Sequence, residues 1–289
     1  MKVLVLGSMG QLGRCLQDQF LNTPFEVTFL DRMDLDINRH DLVRKKINFL
    51  SPDVVINATA YTKVDDAESE VEEANLINHL SVKNISKICK ELKSLLIHIS
   101  TDYVFDGNSD TPYIETDKTN PQNIYGISKL KGELALQLSG CSYIIIRTGW
   151  VFSEYGKNFL KTMIRLGRVR KELDVIGDQI GCPTYAQDLA LAIVEINKKI
   201  NLKTHYCEIY HYCGNKSTTW FRFANAIFKQ AKIRNFPVPN VVRSIDAVKY
   251  PTPAKRPFFS VLNCKKITRD FQIVPSDWEN GIITTLERL

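Results

Sequence analysis

The chain has 289 residues, 44% of them hydrophobic and 24% charged, which suits one large α/β body or a large body with a smaller appended lobe. Its 38 basic and 32 acidic residues leave a net charge of +6, but they are interspersed; the densest basic run, "RLGRVRK" (165–171), reads as a helix end rather than a nucleic-acid block. No apolar stretch is long enough to cross a bilayer, and seven scattered cysteines without a CxxC fit reduced thiols in a cytoplasmic setting rather than a disulfide framework.

In chain order, "KVLVLG" predicts a first strand and a helix follows from about Gln11. The apolar run stops at Gly7, and no long h-region follows to make it a secretory signal. Between strand and helix, "GSMGQLG" places Gly7, Gly10 and Gly13. Glycines there permit a tight turn and let backbone N–H groups and the helix N-terminus approach a pyrophosphate. The spacing is GxxGxxG rather than GxGxxG, and on its own it also fits a close strand-to-helix turn. "EVTFLD" predicts a second strand ending in Asp31. An acid there holds the adenosine ribose hydroxyls of NADH, while the adjacent Arg32 suits the 2′-phosphate of NADPH, so both cofactors stay open.

Next, "DLDINRHDLVRKKINFL" predicts a helix capped by Asp36, "PDVVINATA" a third strand, "ANLINHLSVKNISKICKEL" a long helix and "SLLIHIST" a fourth strand. A helix over 123–139 and the strand "CSYIIIRTGW" extend the alternation. Near-continuous apolar strands alternating with helices predict a Rossmann-type doubly wound parallel sheet over residues 1–150, with its ligands at the carboxyl ends of the strands. Beyond Trp150, helices are expected at "NFLKTMIRLGRV", "AQDLALAIVEINKK", "TWFRFANAIFKQAKI" and "SDWENGIITTLERL", and strands at "LDVIGD" and "EIYHYCG". Six of the eleven prolines follow residue 235, so turns and loops are expected there. Residues 151–289 are read mainly as a smaller C-terminal substrate-binding lobe, with segments around 172–200 returning to the main body.

The helix over 123–139 carries Tyr125 and Lys129 at i and i+4, on one face, where an ammonium can pull a phenol's pKa down from about 10. Such pairs also arise by chance on amphipathic helices, so the spacing needs a cofactor site and a hydroxyl partner beside it. Thr101, at the end of the fourth strand, faces the same cleft. Glycine turn, Thr101, Tyr125 and Lys129 together resemble the extended branch of the short-chain dehydrogenase/reductase superfamily. "GSMGQLG", "NATAYTKVDDAE", "HISTDYVFDG", "YGISKLKGE", "RTGWVF", "DQIGCPT", "YHYCG" and "RPFFSVL" occur in the order of the dTDP-4-dehydrorhamnose reductase family, over nearly the full length.

That resemblance implies roles for individual positions. Gly10, Gln11 and Leu12 cradle the cofactor phosphates, Asp31 and Arg32 meet the adenosine ribose, Asp36 and Ile37 the adenine, and Ala60, Tyr61 and Thr62 the nicotinamide side. Lys129 bridges the nicotinamide ribose and Tyr125, and Asn78 relays protons behind it. Thr101 bonds the substrate oxygen, Tyr125 protonates it, and Trp150 and Arg256 line the sugar nucleotide. Asp102 belongs to the substrate side and orients its loop; it is not taken as a base. The chemistry implied is hydride transfer from NADPH or NADH to C4 of a 4-keto-6-deoxy nucleotide sugar. A related reductase or epimerase giving a 6-deoxytalose, or a non-catalytic subunit resembling the regulatory partner of methionine adenosyltransferase, shares the same motifs.

Where some family members place a glutamate that holds magnesium at a dimer contact, this chain has Arg14 and Cys15, so no metal is expected and a homodimer is left open. His205, Cys207, His211 and Cys213 share one strand parity, but a strand spreads them too far apart for one tetrahedral zinc ion. Neither nucleic acid nor a membrane is an expected partner.

Overall fold

The structure is a computed structural model describing residues 1–289. Its strands are β1 (Lys2–Leu6), β2 (Glu26–Leu30), β3 (Val54–Asn57), β4 (Leu95–Thr101), β5 (Ser142–Thr148), β6 (Val151–Phe152), β7 (Glu172–Ile176), β8 (Ile180–Gly181), β9 (Thr184–Tyr185), β10 (Cys207–His211), β11 (Thr218–Thr219) and β12 (Val241–Ile245). Its helices are α1 (Gln11–Phe20), α2 (His40–Leu50), α3 (Val71–Asn75), α4 (Ser81–Leu92), α5 (Ile124–Leu138), α6 (Phe159–Val169), α7 (Ala186–Lys199), α8 (Trp220–Ile233), α9 (Lys265–Phe271) and α10 (Trp278–Glu287).

Six parallel strands form the main sheet in the order β10-β5-β4-β3-β1-β2. Because β1 lies between β2 and β3, the chain leaves it in one direction and returns in the other, and the strand ends diverge there into a crevice. Alternate side chains bury on opposite faces. Val3, Val5, Ile56, Ile97, Ile144 and Ile146 pack with α1 and α7, whereas Leu4, Leu6, Val55, Leu96 and Ile145 pack with α2, α4 and α5. Both faces being covered is why these strands read as near-continuous apolar runs.

A separate cluster joins Phe152, Leu160, Ile164, Phe223, Ile227, Trp278 and Ile282, and this is the core of the smaller lobe. Strand β7 pairs with β12 there, whereas α7 lies on the main sheet and β10 closes that sheet's edge beside β5.

Three local expectations are corrected. Asp36 does not cap α2, which starts at His40; its Oδ1 accepts from the Asn38 N–H at 3.0 Å and its carbonyl from the Arg39 N–H, making a turn before the helix. The long helix after β3 is interrupted by a π-helical turn, Leu76–Leu80. Strand β12 lies inside the proline-rich stretch read as loop. In β10 and its flanks, His205 and Cys207 are exposed while His211 and Cys213 are buried, and no group of three or more His, Cys, Asp or Glu side chains is placed to hold a metal ion.

Candidate active site

The turn after β1 is built by glycine. Gly7 has φ +85° and, with Ser8, donates its N–H to the Leu30 carbonyl, tying the turn to the end of β2. A Cβ on Gly13 would lie 2.1 Å from the Gly7 carbonyl oxygen, so only glycine lets the first turn of α1 sit this close to the strand. Helix α1 starts without a side-chain cap, leaving its first N–H groups available for an anion. Gly7, Gly10, Asp31, Arg32, Asp36, Ile37 and Ala60 line one cleft at the crevice, and Arg32, Ala60, Tyr61 and Thr62 line its continuation. These residues fit a dinucleotide: a glycine-built turn at a helix N-terminus, followed by an acid and an arginine at the end of the second strand.

Three of the expected cofactor residues are used differently at their side chains. Gln11 bonds the lobe, donating to the Val151 carbonyl at 3.2 Å and accepting from Asn158 at 2.7 Å. Leu12 packs against the main core, and Asp31 Oδ1 accepts from the Met33 and Asp34 N–H groups, at 2.7 and 3.0 Å. Only the backbone of Gln11 and Leu12 is left to face phosphate.

The π turn exists because Asn78 is gripped from both sides. Its Oδ1 accepts from the Tyr61 N–H at 2.9 Å, and its Nδ2 donates to the Tyr61 carbonyl and to Ser128 Oγ, at 3.1 and 3.0 Å. Asn78 therefore locks the Ala60–Thr62 segment to helix α5. That helix begins at Asn123, whose side chain accepts from the Gly126 N–H at 2.8 Å. A Cβ on Gly132 would lie 2.1 Å from the Asn78 carbonyl oxygen, so helix and π turn touch at backbone distance.

Thr101 Oγ1 donates to Asp102 Oδ1 at 3.0 Å and accepts from the Tyr103 N–H at 3.2 Å. Burial raises the Asp102 carboxyl to about 6, partly offset by the hydroxyl of Thr101, which donates to it. The Tyr125 ring meets Tyr103 edge to face, 5.7 Å between centroids. Burial pushes the Tyr125 phenol upward, with the Thr101 hydroxyl pulling the other way and Asp102 adding to the rise.

Here the spacing argument for Lys129 is corrected. Its Nζ donates to the Ile99 carbonyl at 2.7 Å and lies 3.5 Å from His98 Nε2, and it makes no hydrogen bond to the phenol. One helical face brings the two residues together, but the ammonium end is taken by β4, so the lysine does not acidify Tyr125 in this state.

On the lobe side, Trp150 has φ +50° and stacks on Trp220, with centroids 3.4 Å apart and planes 5° apart. Arg256 donates to the Tyr103 hydroxyl at 3.2 Å and to Asp65 Oδ2 at 2.6 Å. Sequence reasoning missed Asn57, His98, Tyr103, Asp65 and the buried pair Arg147–Glu133, which spans 2.7 Å between β5 and α5. The available signal for Asn57, His98 and Arg147 was a polar residue at an inward-reading position of an otherwise apolar strand.

The whole chain, residues 1–289, matches the family model described as RmlD substrate binding domain. It is 42% identical over 287 residues to the dTDP-4-dehydrorhamnose reductase of Aggregatibacter actinomycetemcomitans, covering 97% of each chain. Among solved structures, it resembles a dTDP-4-dehydrorhamnose reductase of Clostridium acetobutylicum, with a TM-score of 0.91, 35% identity and 99% of each chain covered. The enzyme of Bacillus anthracis, solved in complex with NADP, gives a TM-score of 0.90 and 35% identity over 100% of this chain and 99% of that one.

Proposed function

Because the chain belongs to the dTDP-4-dehydrorhamnose reductase family, we propose that it reduces the C4 ketone of dTDP-4-dehydro-L-rhamnose to dTDP-L-rhamnose with NADPH or NADH. The observation that carries this reading is the end-to-end match to the family, supported by Thr101 bearing on Tyr125 and by Asn78 tying Tyr61 of the cleft wall to Ser128 on the helix of Tyr125 and Lys129. Residues 1–150 hold the cofactor: Gly7, Gly10 and Gly13 with the backbone of Gln11 and Leu12 at the phosphates, Asp31 and Arg32 at the adenosine ribose, Asp36 and Ile37 at the adenine, and Ala60, Tyr61 and Thr62 toward the nicotinamide. When bound, the cofactor supplies hydride to the ketone carbon.

The protein's own residues supply the rest. Tyr125 donates its phenolic proton to the ketone oxygen as negative charge grows there. Thr101 steadies the same oxygen, for which its hydroxyl turns from Asp102 toward the substrate. Lys129 holds the nicotinamide ribose and, once charged, stabilises the phenolate left on Tyr125. Asn78 keeps Ser128 and the Tyr61 backbone in register with that helix. Mainly from residues 151–289, Trp150 and Arg256 form the sugar-nucleotide wall.

Purified protein is mixed with enzymatically generated dTDP-4-dehydro-L-rhamnose and NADH or NADPH; cofactor oxidation is followed and the sugar is identified by NMR. Oxidation yielding dTDP-L-rhamnose is expected, and the faster cofactor settles the preference. The opposite C4 configuration points to the 6-deoxytalose reaction, and no oxidation together with tight binding to a partner enzyme points to the regulatory subunit. Tyr125→Phe is expected to abolish turnover and leave cofactor affinity within about twofold, a loss of at least the hundredfold typical of a positioned acid. Near-normal turnover in that variant removes Tyr125 as the acid.

The reading also takes the protein as cytoplasmic, with a nucleotide sugar as partner and neither nucleic acid nor membrane; no helix is long and apolar enough to cross a bilayer. Light scattering in solution separates a monomer from a homodimer.

A further inference from the structure

Asn57 on β3, His98 on β4 and Lys129 on α5 meet in the interior, none more than 1% exposed. The Asn57 amide has one allowed orientation, because Oδ1 accepts from the Thr59 N–H at 3.1 Å and from its hydroxyl at 2.5 Å. Nδ2 therefore faces His98 Nδ1, at 3.2 Å. An amide nitrogen can only donate, so Nδ1 accepts. Burial, with Lys129 beside it, holds the His98 imidazole neutral. A neutral ring that accepts at Nδ1 carries its proton on Nε2.

Nε2 lies 3.5 Å from Lys129 Nζ, the only hydrogen-bond partner that nitrogen has. An ammonium there would set donor against donor, whereas a neutral amine offers its lone pair and still donates to the Ile99 carbonyl. The other charged group bearing on the lysine is Glu133, one turn further along α5. Glu133 favours the charged form but is already paired with Arg147. Burial outweighs it and brings Lys129 down to about 8.

We propose that His98 is a positioning residue for Lys129: fixed by Asn57 as the Nε2–H tautomer, it sets a donor against the Nζ ammonium, can bond only the neutral amine, and so eases loss of the lysine's proton in the ligand-free protein. The donors all run one way, from Thr59 through Asn57 and His98 to Lys129. Thr59 is a wall residue of the cofactor cleft, so a nucleotide seated there bears on the lysine through this chain as well as through its ribose. This rests on Lys129 being the reductase's lysine.

The test is NMR on ligand-free protein. Long-range 1H–15N spectra assign the His98 tautomer, and lysine 13Cε titration, with Lys129→Met for assignment, follows the amine. Wild type is expected to show Nε2–H. In Asn57→Asp the carboxylate has no N–H to give, so the ring is expected to switch to Nδ1–H. In His98→Gln the Lys129 midpoint is expected to rise by about one pH unit, a tenfold tighter proton. An Nδ1–H tautomer in wild type, or an unmoved Lys129 midpoint in a folded His98→Gln, overturns the proposal. Should one variant fail to fold, the wild-type tautomer and the other variant still decide. Because nothing is read from turnover, an inactive wild type overturns the reductase reading alone.

Discussion

Asp102 is buried with one oxygen bonded to Thr101 and the other, Oδ2, without a partner. A Cβ on Gly149 would lie 2.6 Å from that oxygen, so glycine at 149 is what makes room for the carboxylate. The carboxyl binds its proton more tightly in the folded protein, near 6, than its ordinary 3.8 in the unfolded chain. Between those values the folded state therefore holds more protons than the unfolded state, and stability falls as pH rises. At about 1.4 kcal/mol per pH unit the loss comes to about 3 kcal/mol, complete above pH 6. Asp102→Asn lacks this titration. Urea unfolding at pH 4 and pH 7 is expected to show wild type losing about 2.5 kcal/mol more than the variant over that interval. An equal change in both proteins would mean that the buried carboxyl titrates normally.

Helix α5 carries Tyr125 and Lys129, and its later half is pinned by an ion pair with side-chain exposures of 3% for Arg147 and 0% for Glu133. Removing one member strands the other, so Arg147→Met is expected to cost about 3–5 kcal/mol in urea unfolding, while adding Glu133→Leu recovers most of it. If the double variant is as unstable as the single one, the pair is not the anchor. Elements of this kind differ in how far sequence discloses them. The strands of the main sheet were legible because burial on both faces makes them apolar throughout, and the Tyr125–Lys129 pair of α5 because the two stand one helical turn apart. The π turn was not, since it is selected by Asn78 bonding Tyr61 and Ser128, which lie 17 and 50 residues away in the chain. Likewise the Tyr125–Lys129 spacing correctly placed two residues on one face but could not say that Ile99 and His98, from β4, take the ammonium. Strand β12 was hidden because it pairs with β7, about 70 residues earlier, amid prolines that locally signal turns.

At the scale of the molecule, hydrogen bonds at several places tie the later chain to the main sheet and its loops. Gln11 and Asn158 join the start of α1 to the lobe, while Arg256 joins the later chain to Tyr103 and Asp65, whose Oδ1 also accepts from the Ala254 N–H. Arg256 thus fixes the segment leading into "RPFFS" against the residue that touches Tyr125. The ion pair is partly exposed, at 24% for Arg256 and 36% for Asp65, so solvent screens it and its loss costs stability only about 1 kcal/mol. Its consequence is expected in the wall it positions. Arg256→Met should raise KM for the nucleotide sugar about tenfold, the effect of losing about 1.4 kcal/mol of binding, and leave the NADPH Kd within about twofold. Steady-state kinetics paired with a fluorescence titration of NADPH separates the two. An equal rise in both constants would move Arg256 from the sugar side to the cofactor side, and the cleft would then be divided at a different seam.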